Sequence, residues 1–265
     1  MMGEFRNLLQ DNSLDGWKIY PRGILRYTPG TEEYENAWAH KGLWTVRDGI
    51  LEGRQDPPGC GFGSYLVSND TFEDFELIYE AKPDWPADTG VYIRADETGT
   101  CGYQILLDHR KSGSIGGFYG NGLGGFHAIN WNVDAVYDGE GNATGIRIED
   151  PATTLEPVTP DKPALLQYKT EGETFLRAWK WNDWNEFRVL CEGRYPVITT
   201  WINDVKIAQI DMNRLDASRF DRNAAERLGT RGHISLEVHD NDQMGEARWG
   251  KNAATRFRNI RIREL

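Results

Sequence analysis

Apolar and polar residues alternate with a period of two along much of the chain. In "HISLEVHD", Ile234, Leu236 and Val238 alternate with Ser235, Glu237 and His239. That is the pattern of a strand with one apolar face. "DFELIYEAKP" sets Phe75, Leu77, Tyr79 and Ala81 against Glu76, Ile78, Glu80 and Lys82. "TGVYIRAD", "GYQILLDH", "NEFRVLCEG", "VITTWIND", "VKIAQID" and "TRFRNIRIREL" read as further strands. "LWTVRDGILEG" is a hairpin with Asp48-Gly49 at its turn. Many short strands with close turn signals predict an all-β, two-sheet antiparallel sandwich. With no linker and no internal repeat, the pattern predicts one domain over residues 1–265, with long loop excursions.

Two stretches interrupt the alternation. "GSIGGFYGNGLGGFHAINW", Gly113 to Trp131, is crowded with glycine but lacks the Gly-Lys-Ser/Thr of a phosphate loop. Tight turns forming one wall of a cleft are the expectation. From Asn132 to Lys169 the chain is polar and carries Pro151, Pro157, Pro160 and Pro163, a long excursion of the kind that often serves function. "TFLRAWKW" predicts a short helix, and a second is expected around Asn223–Leu228.

Parity along the strands sorts candidate chemistry. Tyr92, Arg94 and Asp96 oppose Val91, Ile93 and Ala95. Gln104, Leu106 and Asp108 oppose Tyr103, Ile105 and Leu107. If these strands share a sheet with "HISLEVHD", then Tyr92, Arg94, Gln104, Asp108, Glu237 and His239 converge on one polar face, a plausible sugar cleft. The competing reading is an ordinary wet face, with Arg94 in a weak surface ion pair.

Composition narrows the partner. The net charge of -11 argues against nucleic acid and against an anionic membrane surface. No apolar run approaches the roughly 18 residues that span a bilayer. A small sugar or other neutral ligand is expected, and the 10 Trp, 11 Tyr and 10 Phe suit both sheet packing and sugar-binding surfaces. "MMGEFRNLLQ" lacks the basic and apolar regions of a signal peptide, so a cytoplasmic location is expected, or a periplasmic one if a leader has been removed. Cys60, Cys101 and Cys191 are odd in number and widely spaced, which reads as free thiols.

Sugar hydrolysis on a curved sheet commonly uses Glu-x-Asp-x-x-Glu along one strand, which this chain lacks. Direct hydrolysis of that type is therefore not expected. His239 with Asp240 and Asp242, and Asp108 with His109, offer ligands for a divalent metal ion, although the spacing fits no standard metal motif and "DND" also suits an Asx-rich turn.

"LDGWKIY", "LWTVRDGILEG", "FEDFELIYEAK", "TGVYIR", "GYQILLD", "WNEFRVLCEG…TTWINDVKI", "GHISLEVHD" and "RFRNIRIREL" occur in an order that resembles the 3-keto-disaccharide hydrolase family. The resemblance runs from Phe5 to Leu265. It implies a concanavalin A-like jelly roll and cleavage of the glycosidic bond of a C3-oxidised sugar. One departure is Gln104, which stands where the family pattern has Glu.

The implied chemistry is proton abstraction at C2, acidified by the C3 ketone, then elimination of the C1 substituent. It needs a base, an electrophile for the enediolate and an acid for the leaving oxygen. His239 or Glu237 is the candidate base, Arg94 or a divalent cation the electrophile, and Asp108 a further catalytic candidate. Tyr92, Tyr103, Gln104, Tyr119, His127, Trp131 and Trp181 are candidates for holding the substrate. The rivals are a carbohydrate-binding module without chemistry, and a partner-binding sandwich with an exposed apolar patch.

Overall fold

The computed structural model describes residues 3–265. Two antiparallel sheets pack face to face as a jelly-roll sandwich. One sheet runs, in spatial order, His127–Ala128, Ile115–Asn121, Gly102–His109, Ala87–Ala95, Gly232–Val238, Ser64–Phe72 and Trp17–Pro21. The other has nine strands, with Phe75–Pro83 and Ala254–Glu264 near its middle. The apolar parity set of each strand meets its counterpart between the sheets. Val91, Ile93, Ile105, Leu107, Leu236 and Val238 face a core shared with Leu77, Tyr79, Phe187 and Val189. The expected Asp48-Gly49 turn joins strands Leu43–Arg47 and Ile50–Arg54.

The two excursions are more ordered than the sequence implies. The glycine-rich stretch contains the sheet strands Ile115–Asn121 and His127–Ala128. Gly120 is required there, because a Cβ would sit 2.2 Å from the Phe126 ring. The polar excursion forms a hairpin of Val133–Tyr137 and Ala143–Ile148, then a loop, then a one-turn helix at Asp161–Ala164. The two expected helices lie at Gly172–Ala178 and Arg222–Leu228. A further helix, Glu32–Ala39, went unread in the sequence; Thr31 caps it by accepting from the Tyr34 N–H, and three glutamates fill its first turn. No helix of the described residues is long and apolar enough to cross a membrane.

Candidate functional site

A cleft of about 650 Å³ lies on the face of the seven-stranded sheet turned away from the core. Its floor is built by parity. Asp88 and Tyr92 come from one strand, and Gln104, Leu106 and Asp108 from the next. Asp88 stands directly opposite Asp108, and Tyr92 opposite Gln104. Tyr119, Asn121 and His127 add the edge strands. The loop around Leu155–Lys162 forms the far wall, and Arg22, His239 and Arg248 close the near side.

Of the candidates named from sequence, the structure brings Tyr92, Gln104, Asp108, Tyr119, His127 and His239 around this cleft. Glu237 lies just beneath it and is fully buried. Arg22 Nε donates to its Oε1 at 2.7 Å, and Gln104 Nε2 donates to its Oε2 at 2.8 Å. Gln104 crosses Gly90 to get there: a Cβ on Gly90 would stand 2.5 Å from the Gln104 amide nitrogen. Arg22 also pairs with Asp240 at 2.9 Å and reaches His239 Nε2 at 2.9 Å. A guanidinium only donates, so Nε2 is the acceptor. The other ring nitrogen is 2.7 Å from the Asp240 carbonyl. Glu237 thus organises the floor instead of lining it, and the lone pair that His239 would need as a base is engaged by Arg22.

Four expected placements fail. Arg94 is not on the cleft face. His233 pairs with Ala95 and Ser235 with Tyr92, so Ile93 and Arg94 together oppose the single residue Ile234. This bulge breaks the alternation, and Arg94 takes φ of 46°. Its side chain turns instead to Asp74 and to the carbonyls of Glu73 and Gly193. Tyr103 belongs to the core, as its parity with Ile105 dictates, and packs against Phe220. Trp131 is buried on Phe175. Trp181 lines a separate cavity.

Of the electrostatic centre of the cleft, Asp108 and His127 were read from the sequence and the rest was not. Asp88 accepts from both Arg110 Nε and Arg248 Nη1 at 2.5 Å. Burial opposes its charge, but Arg110, backed by Arg248, holds the carboxyl far below its ordinary range. Asp108 is the reverse case. Burial and then the charge of Asp88 push it well above the ordinary carboxylate value. Its Oδ1 has no hydrogen-bond partner among the described residues, and neither does Arg248 Nε. On the edge strand, burial and then Lys162 push His127 down to about 4, so its ring is neutral near pH 7. Glu156 ties the loop wall to this centre through Arg110 at 2.9 Å and Arg248 at 3.3 Å.

Asp88 had a readable signal: it shares the parity of Tyr92. The strand starts at Ala87, earlier than the prolines of "PDWPADTG" suggest. Arg22 and Arg248, by contrast, reach the site from loops. No group of three or more His, Cys, Asp or Glu side chains among the described residues is placed to hold a metal ion. Cys60, Cys101 and Cys191 are free thiols.

The fold is a jelly-roll sandwich with a polar cleft over one sheet. The chain belongs to the 3-keto-alpha-glucoside-1,2-lyase-like domain family, whose model matches residues 4–263. That membership ties it to carbohydrates. No curated relative matches the chain by sequence. Among solved structures it overlaps a β-1,3-1,4-glucanase (lichenase) from a mouse hindgut metagenome, at 12% identity over 100% of this chain and 99% of that one, with a TM-score of 0.46. Carbohydrate-binding module CBM66 from Bacillus subtilis overlaps at 14% identity over 83% and 89%, with a TM-score of 0.41. The β-agarase A of Zobellia galactanivorans overlaps at 9% identity over 98% and 95%, with a TM-score of 0.45. These overlaps do not bear on the chemistry.

Proposed function

We propose that the cleft cleaves the glycosidic bond of a C3-oxidised sugar by elimination, with Asp108 carrying the proton. The observation that supports this is the state of Asp108: a cleft-lining carboxyl with an unpartnered oxygen, raised by burial and by Asp88. A carboxyl moved towards neutrality can both take and return a proton. In its ionised fraction Asp108 removes the C2 proton. The C–H electron pair forms the C2–C3 double bond, and negative charge develops on the former C3 carbonyl oxygen. Arg110 and Arg248, whose charges act on Asp108 in the same cleft, stand beside it to stabilise that charge. As the C3 carbonyl re-forms, a C1–C2 double bond forms and the C1–O bond breaks. Asp108 then gives its proton to the departing oxygen. Tyr119, Gln104 and neutral His127 orient the ring. Addition of water to the unsaturated product would give net hydrolysis.

The test is incubation with 3-keto-glucosides in deuterated water, with and without a chelator, followed by mass spectrometry. Deuterium at C2 of recovered substrate or at the derived product carbon is the expected result, lost in Asp108→Asn. Efficient cleavage of the unoxidised glycoside would refute the reading. Binding without deuterium uptake or cleavage would identify a carbohydrate-binding module instead.

A further inference from the structure

Consecutive residues of one strand point to opposite faces. Asp108 enters the cleft, whereas His109 enters a second cavity, of about 600 Å³. The segment around residue 250 separates them in the same way, with Arg248 in the cleft and Lys251 and Asn252 in the cavity. Trp85 and Trp181 form its aromatic wall, half-buried, with ring centroids 6.0 Å apart and planes tilted by 52°. His109 packs against both, each at 5.1 Å.

His109 is only 2% exposed. Its Nδ1 lies 2.8 Å from the Asp84 carbonyl, and its Nε2 has no partner among the described residues. Burial pushes the ring down to about 4, which makes Nε2 an acceptor near pH 7. Leaving such a buried group unmet is unfavourable. Around the mouth, Asn182, Lys251 and Asn252 make no side-chain hydrogen bond or ion pair with another described residue.

We infer that this cavity is a second carbohydrate-binding site, which takes a neutral pyranose unit. Half-exposed indoles match the apolar C–H face of a sugar ring. Free amides and an ammonium group at the mouth match its hydroxyls. Packing alone accounts for buried Trp179 beside His109. It does not account for half-buried Trp181, which stands outside the core within a polar rim. The inference rests on the family's tie to carbohydrates and not on the elimination proposed for the cleft.

The test is indole ¹H–¹⁵N NMR of the full chain, titrated with cellotriose, maltotriose, β-1,4-mannotriose and β-1,4-galactotriose. The expected result is a saturable shift of the Trp85 or Trp181 signal with at least one of them. Trp181→Ala should weaken that binding about tenfold or more while turnover in the cleft is unchanged. Asp108→Asn should keep the shift. No shift from any saccharide at about 10 mM, or an affinity within about twofold of the parent in Trp181→Ala, would overturn the site. Saccharide binding here in a protein that never exchanges deuterium at C2 would sink the reaction and leave this site standing.

Discussion

Two acidic residues sit in the same sheet with one strand between theirs, and the protein treats them in opposite ways. Glu237 is fully buried and satisfied: Arg22 meets one oxygen and Gln104 the other. Asp108 is nearly as buried, yet its nearest charged neighbour on the facing strand is Asp88, and its Oδ1 is unmet. Arg110 and Arg248 are both committed to Asp88. Glu237 holds an arginine and an amide in place. Asp108 is left with an unmet capacity, and unmet capacity in a cleft is what chemistry can use. A buried acid therefore says little by its type alone. What it is bonded to decides whether it supports a site or works in it.

The sharpest break between the two comes from paired substitutions. Asp108→Asn should lower turnover of a 3-keto-glucoside by about 10²–10³-fold, the usual weight of one proton-transfer group, while the variant folds normally. Kinetics alongside a circular dichroism melt would check both halves. Near-normal turnover would remove Asp108 from the mechanism. Glu237→Gln should act mainly on stability. It takes the charged partner from Arg22, whose side chain is 14% exposed, and the expected loss is about 3 kcal/mol, the lower end for breaking a buried pair because Asp240 still holds Arg22. Urea denaturation would measure it. If Glu237→Gln were as stable as the parent but inactive, the assignment of the two carboxyls would have to be exchanged.

The fold and much of the cleft face were legible in the sequence; the contrast between the two acids was not, for identifiable reasons. Parity found the sandwich and placed Tyr92, Gln104 and Asp108 on one face, because side chains on an unbroken strand must alternate. It failed at Arg94, where one extra residue in the strand turns the next side chain elsewhere; nothing in "TGVYIRAD" marks that bulge. It also could not reveal that Glu237 is sealed. The partner that seals it, Arg22, is 215 residues away in the chain and sits in a loop with no periodicity to read. Tyr103 was the avoidable error, since its own alternation put it with Ile105 and Leu107 in the core.

A smaller effect tests how the satisfied cluster is built. In Gly90→Ala, the new methyl would collide with the Gln104 amide nitrogen, 2.5 Å from the ideal Cβ position. Gln104 would have to leave Glu237, at an expected cost of about 1–2 kcal/mol. Asp88, Asp108 and Arg110 do not depend on that amide, so kcat should change less than KM. A fall in kcat comparable to that of Asp108→Asn would mean the two clusters act as one.

The smallest expected effect concerns pH. An unfolded aspartate titrates near about 3.9. Asp108 titrates above that in the folded protein, so the folded state holds this proton more tightly than the unfolded chain does. Its contribution to stability is therefore complete below the unfolded value and is lost as pH rises through the folded one. Asp88 has the opposite sign: its folded value is depressed, so its contribution is present above about 3.9 and is lost as pH falls. Asp108→Asn removes a titrating proton and the like-charge conflict with Asp88. The variant should melt close to the parent near pH 4 and above it at pH 8, by about 2 °C or more for a chain of this size. Asp88→Asn should instead melt below the parent throughout pH 4 to 8, because Arg110 and Arg248 would be left without their shared carboxylate. Calorimetric melts of the three proteins across that range would show the two curves diverging from the parent in opposite directions. If both variants instead shifted the same way at every pH, the division of charge between Asp88 and Asp108 would be wrong, and with it the reason for assigning the proton to Asp108.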